Sequence, residues 1–380
     1  MSGLGAPDSG LGNAVILRCN KPLRLADVAS DCPALPSPEP RASSPDTRVT
    51  LLLSLNPYGL AYTVGLQAAG TPRANPHPVG LKGFIELVRE SGLRGIELDH
   101  RWLTPLTDPQ LAGLRQELLG LQPICSFWLA NQPGETLEQA VRCCTGIGAR
   151  ILRFHLTPVL EGGRARCGQR WHDMLAHARE TLARESSRVA DAGLTLAIEN
   201  HQDLGSEELV ALSERLGAHC GICFDTGNAF STGEDPVAFT RRAAHRIRHV
   251  HLKDYVAQFT PEGYRLVRCP IGDGAVPFNE IASILAGQGT RLAASIEPGA
   301  LEARHIRLFT RDWWTGYPPR DASELGVMLG RLRTATLPDD ADYRTPWEKE
   351  EHAQLLVEYE LEQVRRSVTN VRAMGICEGS

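Results

Sequence analysis

No apolar run in this chain of 380 residues approaches the ~20 residues a helix needs to cross a bilayer; the longest, such as "VTLLLSL", stop at about a third of that. An excess of positive charge is also missing. Lys and Arg number 40 against 45 Asp and Glu, a formal net charge of −5, so the electrostatic footprint of a nucleic-acid or anionic-membrane binder is not there and neither partner is expected. The ten cysteines lack the spacing of a disulfide framework, which fits reduced thiols in a cytoplasmic protein. "CGIC" (Cys220, Cys223) has no second pair to complete a structural zinc site. "GLGAPDSGLG" follows no strand and is not a dinucleotide fingerprint, and a Ser-His-Asp hydrolase would have no nucleophile elbow to stand on. The first basic residue is Arg18 and the "AVIL" before it is no signal-peptide core, so a cytoplasmic location is expected.

What the chain does have begins with a change of texture. Residues 1–47 are rich in Gly, Pro and Ser, with five prolines in "CPALPSPEPRASSPD", and are expected to be a disordered leader. From Arg48, eight short apolar runs alternate with amphipathic segments. The runs are "VTLLLSL" (49–55), "GIEL" (95–98), "PICSF" (123–127), "ILRFHL" (151–156), "LTLAIE" (194–199), "GICF" (221–224), "IRHVHL" (247–252) and "LAASIE" (292–297). Between them, Leu81, Phe84, Ile85 and Val88 repeat at helical spacing, as do Leu137, Ala140, Val141 and Cys144. Gly92 and Gly193 stand where a helix ends before a strand, the place for a left-handed cap. Near-continuous apolar strands alternating with helices imply a parallel sheet covered on its outer side. Eight units favour an α/β fold of the (β/α)8 TIM-barrel type over residues 48–335, with an open doubly wound sheet as the alternative. Residues 336–380 are expected to be a C-terminal helical extension.

In a barrel, chemistry belongs at the C-terminal ends of the strands. Polar residues collect there. Glu97, Asp99 and His100 stand at the exit of the second run and His155 near the end of the fourth. The fifth, sixth, seventh and eighth lead to Glu199, Asp225, His251 and Glu297, spaced by 26, 26 and 46 residues, each interval one strand-helix unit and the last enlarged by a long loop. Three carboxylates and an imidazole cannot share one spot without a cation, because mutual repulsion would raise the carboxyl pKa values until some were protonated. A divalent metal resolves the conflict, and a set rich in oxygen with one nitrogen points to Mn²⁺ or Mg²⁺, with Co²⁺ or Zn²⁺ as alternatives.

"LAIENH", "ICFDTGN", "HVHLKD" and "IGDGAVPFNEI…SIEPG", in that order, resemble the xylose isomerase-like TIM barrels, the superfamily of sugar isomerases, ketose 3-epimerases, inosose dehydratases and endonuclease IV. The resemblance spans about residues 48–335 and implies that Glu199, Asp225, His251 and Glu297 bind one divalent metal. One position departs from the ketose epimerases: where they often carry D-x-x-H, Asn228 stands here. A metal chelated by a substrate carbonyl and its neighbouring hydroxyl stabilises an enediolate. Glu199 and Glu297, flanking that plane, would remove and return a proton, giving a metal-dependent isomerase or epimerase of a sugar, polyol or sugar-derived keto acid. The same chemistry leaves a lyase open, either an inosose-type dehydratase or a decarboxylase of a 3-oxo sugar acid. An endonuclease is disfavoured by the acidity of the chain and by missing ligands for a three-metal cluster.

His155, His201, Asn228, Lys253 and Arg268 are candidate substrate contacts. Lys253 shares the face of His251 on an extended strand and is expected to anchor an anionic or carbonyl oxygen or to pair with Asp99 or Asp254. His249, one pleat deeper, is expected to be buried and hydrogen-bonded. The loops after the fourth and seventh runs are long enough to cover the site, with "TPEGYRLV" reading as a hairpin and Arg166, Arg265 and Arg268 as carboxylate or phosphate contacts. Arg304, Arg307 and the pair Trp313 and Trp314 are candidates for a pocket wall or an oligomer contact. In the tail, Thr345, Pro346 and Glu348 form the signature of a helix start. That helix, striped with Leu355, Leu356, Tyr359 and Val364, is expected to dock on its own barrel or, preferentially, on a second copy in a homodimer, because a complete barrel would leave it no internal core to fill.

Overall fold

The computed structural model describes residues 51–128, 136–288, 291–338 and 340–378. The expected leader, 1–47, lies outside them. Seven strands are reached in order: β1 (Leu52–Leu55), β2 (Gly95–Asp99), β3 (Gln122–Trp128), β4 (Ile151–His155), β5 (Thr195–Glu199), β6 (Cys220–Asp225) and β7 (Ile247–Leu252). The chain then leaves the sheet as the antiparallel hairpin β8 (Asp254–Thr260) and β9 (Gly263–Cys269), returns for β10 (Ala293–Ile296), and adds β11 (Arg304–Ile306) to the hairpin. β10 lies between β7 and β1, all parallel, and β1 also pairs with β2, so eight strands close into a barrel. That closure rules out the open doubly wound sheet. The eight apolar runs are the eight barrel strands.

The helices form as the periodicity requires. Gly80–Glu90 buries Phe84, Ile85 and Val88, and Leu137–Ile147 buries Leu137, Ala140 and Cys144. Gly92 (φ 64°) and Gly193 (φ 66°) take the left-handed backbone that a side chain would strain. No described helix is long and apolar enough to cross a membrane.

Inside the barrel the side chains stack in layers. Leu52, Ile124 and Ala293, with Ile151 against them, make an apolar floor. Above it the small hydroxyls of Ser54 and Ser295 touch at 2.7 Å, and Ser126 accepts from Arg153 at 2.8 Å. A Cβ on Gly95 would lie 2.5 Å from the Ser54 Cβ, so this layer is already full. The charged residues begin at the next level up.

The hairpin expected at "TPEGYRLV" is β8–β9, turned by Pro261 and Glu262. Gly263 is required there by contact: an added Cβ would sit 2.0 Å from the Ile306 carbonyl oxygen. The tail departs from expectation in two ways. Thr345 and Glu348 do make their reciprocal capping bonds, at 3.2 and 2.8 Å, but the turn they open stops at once because Glu350 adopts φ 57°. The long helix starts later, at Ala353–Ala373, capped by His352. It is also no bystander to a finished barrel. Val364, Val368 and Val371 enter the main core, Arg372 donates to the Ser91 and Gly92 carbonyls at the foot of the first helix, and Asn370 donates to the Ile271 carbonyl. The helix also packs on β10, and the premise that no internal core remained for it does not hold.

Glu360 of this helix ties down the mouth of the barrel. It is fully buried and accepts from the Tyr62 and Thr63 backbone N–H groups, at 3.1 and 2.8 Å, and from the Thr63 hydroxyl at 2.7 Å. Burial raises its carboxyl to about 7, against the downward pull of the bonds from Thr63 and Tyr62. The folded value lies above that of the unfolded chain, so the native state holds the extra proton between them. This contribution to stability is present in full below the unfolded value and is lost as pH rises through about 7. Glu360→Gln cannot ionise. Its stability relative to the parent is expected to climb between about pH 5 and about pH 8, by up to about 3 kcal/mol at ~1.4 kcal/mol per pH unit separating the two values. Paired urea melts across that range check it, and a constant difference would mean that Glu360 is ionised throughout.

Candidate active site

Strand register assembles the site. Asp225 and His251 are direct partners across β6 and β7, and Glu199, at the end of β5, pairs with Cys223 two residues before Asp225. The Glu297 N–H donates to the Leu252 carbonyl at 3.0 Å, one step beyond the β7–β10 ladder. All four side chains are buried. Ligand atoms of Glu199, Asp225 and His251 lie within 4.8 Å of one another. Glu297 Oε2 is 3.0 Å from His251 Nδ1, which joins the fourth residue to the group.

The donor set fits a divalent cation. Apart from the Arg153 guanidinium, neither Glu199 oxygen has a hydrogen-bond partner, and His251 Nδ1 makes no well-directed bond although two carboxylates surround it. The other imidazole nitrogen is committed: Nε2 stands 3.0 Å from Glu97 Oε2. A carboxylate on Nε2 fixes the tautomer that leaves Nδ1 a lone pair for metal. A second group, Cys223 with His249 and His251, is less available. His249 uses both nitrogens, on the Ala293 carbonyl at 2.9 Å and on Glu97 at 3.2 Å, which is the buried, bonded role expected of it.

Glu97 thus acts through His251. Burial works against its charge, yet the His251 and His249 imidazoles hold its carboxyl well below the usual range. Glu97→Gln is expected to weaken divalent-metal affinity about 10–100-fold, because the ring loses its orienting acceptor. Calorimetric titration with Mg²⁺ or Mn²⁺ measures this; unchanged affinity would show that packing alone orients His251.

Two buried cations complete the electrostatics. Lys253 Nζ lies 2.5 Å from Asp225 Oδ2 and 2.7 Å from Glu297 Oε1, in place of the expected pairing with Asp99 or Asp254. Asp99 instead pairs with Arg101, and Asp254 accepts from the backbone N–H groups of Tyr255, Gly272, Gly274 and Val276. Burial disfavours the Lys253 ammonium, but Asp225 and Glu297 raise its pKa above the ordinary lysine value. Burial would push the Glu297 carboxyl up; Lys253, then His251, hold it far below the carboxylate range. Asn56, at the exit of β1, donates to Glu297 Oε2 at 2.9 Å.

Above these groups a cavity of about 210 Å³ opens, walled by Tyr58, Trp128, His155, His201, Lys253 and Arg268, with Arg153, Glu297 and Arg304 also reaching it. His155 and His201 stack at 4.3 Å, and Trp128 meets His155 edge-on at 5.1 Å. Burial, with Arg153 and His100 adding to it, lowers His155 to about 3, so its ring is neutral and both donates and accepts. Four of the five candidate substrate contacts therefore face one space. Asn228 does not line it, because its amide oxygen is taken behind the wall by Gln202 at 3.2 Å and Tyr255 at 3.4 Å. Arg166 and Arg265 pair with Glu161 and Glu348, away from the cavity. Trp313 and Trp314 do not wall it either; Trp313 Nε1 braces the loop after β4 by donating to the Glu161 carbonyl.

Sequence reasoning passed over Asn56 and Arg153. Asn56 follows β1 at a strand exit, the same signal that found the others. Arg153 alternates with His155 and so faces inward, a signal present in "ILRFHL".

The family model described as "Xylose isomerase-like TIM barrel" matches residues 85–313. Among characterised and uncharacterised relatives, the rhizopine catabolism protein MocC of Rhizobium meliloti is 33% identical over 244 residues, 56% of this chain and 72% of its own. YihM of Escherichia coli K12, an uncharacterized protein, is 26% identical over 208 residues, covering 53% and 61%. The inosose dehydratase of Clostridium botulinum (strain Alaska E43 / Type E3) is 29% identical over 145 residues, covering 34% and 47%. The match thus spans 61% of YihM and about half of the dehydratase. A closed eight-stranded parallel barrel, acidic and imidazole side chains gathered at its C-terminal mouth, and a family match across most of its units lead to one statement: this chain belongs to the xylose isomerase-like TIM barrel family.

Proposed function

We propose that the protein is a divalent-metal-dependent isomerase or epimerase of a sugar, polyol or sugar-derived keto acid. The observation that carries this reading is the gathering of Glu199, Asp225 and His251 ligand atoms within 4.8 Å, with Glu297 beside them, under a cavity of monosaccharide size. Mn²⁺ or Mg²⁺ suits the oxygen-rich set best. Held by these four residues, the ion would supply positive charge to carbonyl and hydroxyl oxygens next to the C–H bond that breaks.

The chain does the rest. Glu199 and Glu297 rise from strands separated by two others in the barrel, so they approach a bound molecule from different directions. One takes the carbon-bound proton and the other returns a proton to the neighbouring carbon or the opposite face. Arg153 pairs with Glu199, and Lys253 and His251 hold the Glu297 carboxyl far below the carboxylate range, which leaves it charged to take a proton. Trp128, His155 and His201 form a wall of uncharged rings that exclude water while offering imidazole nitrogens to hydroxyls.

A second reading, a dehydratase or decarboxylase on the same site, is favoured by Asn228 in place of the epimerases' histidine and by the dehydratase among the relatives. Proton NMR of the Mg²⁺-loaded protein in deuterated water, with a panel of ketoses, inososes and 3-oxo sugar acids, separates them. Deuterium entering an unchanged carbon skeleton supports the isomerase or epimerase. Loss of water or carbon dioxide supports the lyase, and neither event with any member sinks both.

A further inference from the structure

Four cations reach the cavity, and three have carboxylate partners. Arg153 faces Glu199, Lys253 faces Asp225 and Glu297, and Arg304 Nη1 donates to Glu302 at 2.8 Å. Arg268 has none. It lies in β9, is only 7% exposed and lines the cavity; its side chain forms no hydrogen bond or ion pair with any described residue, and it contributes only after Arg304 to lowering the Glu302 carboxyl. Its Nε and Nη1 are enclosed without a partner, and so is Nε of Arg304. Glu297 does not balance Arg268, because its charge is already met by Lys253 and Asn56.

A guanidinium cannot shed its charge, and a buried charge with nothing to pair with strongly opposes folding. Such a group is tolerable where its counter-charge arrives with a ligand. We propose that Arg268, assisted by Arg304 in the same cavity, binds an anionic oxygen group on the substrate, a carboxylate or a phosphate, so that the substrate is an acidic monosaccharide derivative. The planar fork of donors suits such a group with two parallel bonds. The location suits it as well. A Cβ placed on Gly299 would be 3.7 Å from Arg268 Nη1, so the guanidinium lies against the segment that follows Glu297. An anion held there puts the adjoining carbons next to the Glu297 carboxylate. The cavity, about 210 Å³, is smaller than the ~300–1,000 Å³ of sites for drug-sized ligands and limits the occupant to about one sugar unit.

This inference rests on reading the cavity as the substrate site of the proposed function. The test is isothermal titration of the Mg²⁺-loaded protein with matched pairs: D-glucuronate against D-glucose, D-gluconate against D-glucitol, and glucose 6-phosphate against D-glucose. At least one acid is expected to bind about 10–100-fold more tightly than its neutral parent, the range of a charge-assisted pair. Arg268→Gln should erase that preference, and Arg268→Lys should keep part of it. Without ligand, Arg268→Gln should melt no lower than the parent, since it removes an unmatched charge; this guards against reading misfolding as lost binding. Preference for the glycuronate or gluconate identifies a carboxylate, and preference for the sugar phosphate identifies a phosphate.

If every acid binds no better than its neutral parent, or Arg268→Gln keeps the preference, the inference fails. Its failure is separable from that of the reaction. Deuterium exchange into a neutral sugar, with no acid bound more tightly than its neutral parent, would leave the isomerase standing and overturn the anion site. Arg268-dependent binding of an acid with no exchange on any compound would do the reverse.

Discussion

Glu297→Gln is expected to lower solvent-proton exchange by about 10²–10⁴-fold in kcat, with the protein still folded. The amide matches the carboxyl in size but has one acceptor oxygen where the carboxylate has two, so it keeps the bond from either Asn56 Nδ2, 2.9 Å from Oε2, or Lys253 Nζ, 2.7 Å from Oε1, and not both. What it loses is the capacity to take a proton and one charged ligand atom beside His251 Nδ1. Deuterium incorporation followed by NMR gives the rate, and calorimetry gives the metal affinity. The contrast with Glu97→Gln is informative. There the reacting groups are intact and only the hold on His251 is loosened, so saturating Mg²⁺ should restore exchange, whereas no metal concentration should rescue Glu297→Gln. A variant at Glu297 that exchanges at nearly the parental rate would remove this residue from proton transfer and leave Glu199 as the acid and base.

Lys253→Met is expected to produce the largest loss of stability in the metal-free protein, about 3–5 kcal/mol, because two buried carboxylates lose their shared counter-charge. Asp225 and Glu297 stand 2.5 and 2.7 Å from the ammonium, and both residues are buried. A divalent ion bound by the same carboxylates replaces the missing charge. Mg²⁺ should therefore raise the Tm of Lys253→Met by more than it raises the Tm of the parent. Thermal melts with EDTA and with excess Mg²⁺ measure both effects. Equal stability without metal would show that Lys253 is not the counter-ion, and an equal metal response in the two proteins would show that the ammonium and the ion do not share their carboxylates.

Much of this arrangement was legible one residue at a time. Strands buried on both faces must be apolar throughout, so "LTLAIE" and "LAASIE" announce themselves, and the residue that breaks each run marks a strand exit. Alternation placed His249 below His251, and the structure finds it there, bonded to Glu97 and the Ala293 carbonyl. Elsewhere, neighbours outside the local pattern decided the arrangement. Asn228 sits in a motif that suggested substrate; its amide oxygen accepts from Gln202 and Tyr255, and the residue does not line the cavity. Thr345 forms its capping box, but Glu350 ends the turn before a helix can grow.

The sequence by itself determined the elements, their order and the side chains delivered to the mouth of the barrel. Hydrophobic periodicity and strand-end polarity are local properties, written wherever the backbone repeats every two or every 3.6 residues. Only the tertiary structure decided which charges meet. Arg153 on Glu199, Lys253 between Asp225 and Glu297, and Glu97 behind His251 all join residues from different strands, and their pairing exists only once the barrel closes. The same holds for the helix Ala353–Ala373, which packs on β10 and enters the main core, and for Arg268, whose side chain finds no hydrogen-bond or ion-pair partner among the described residues.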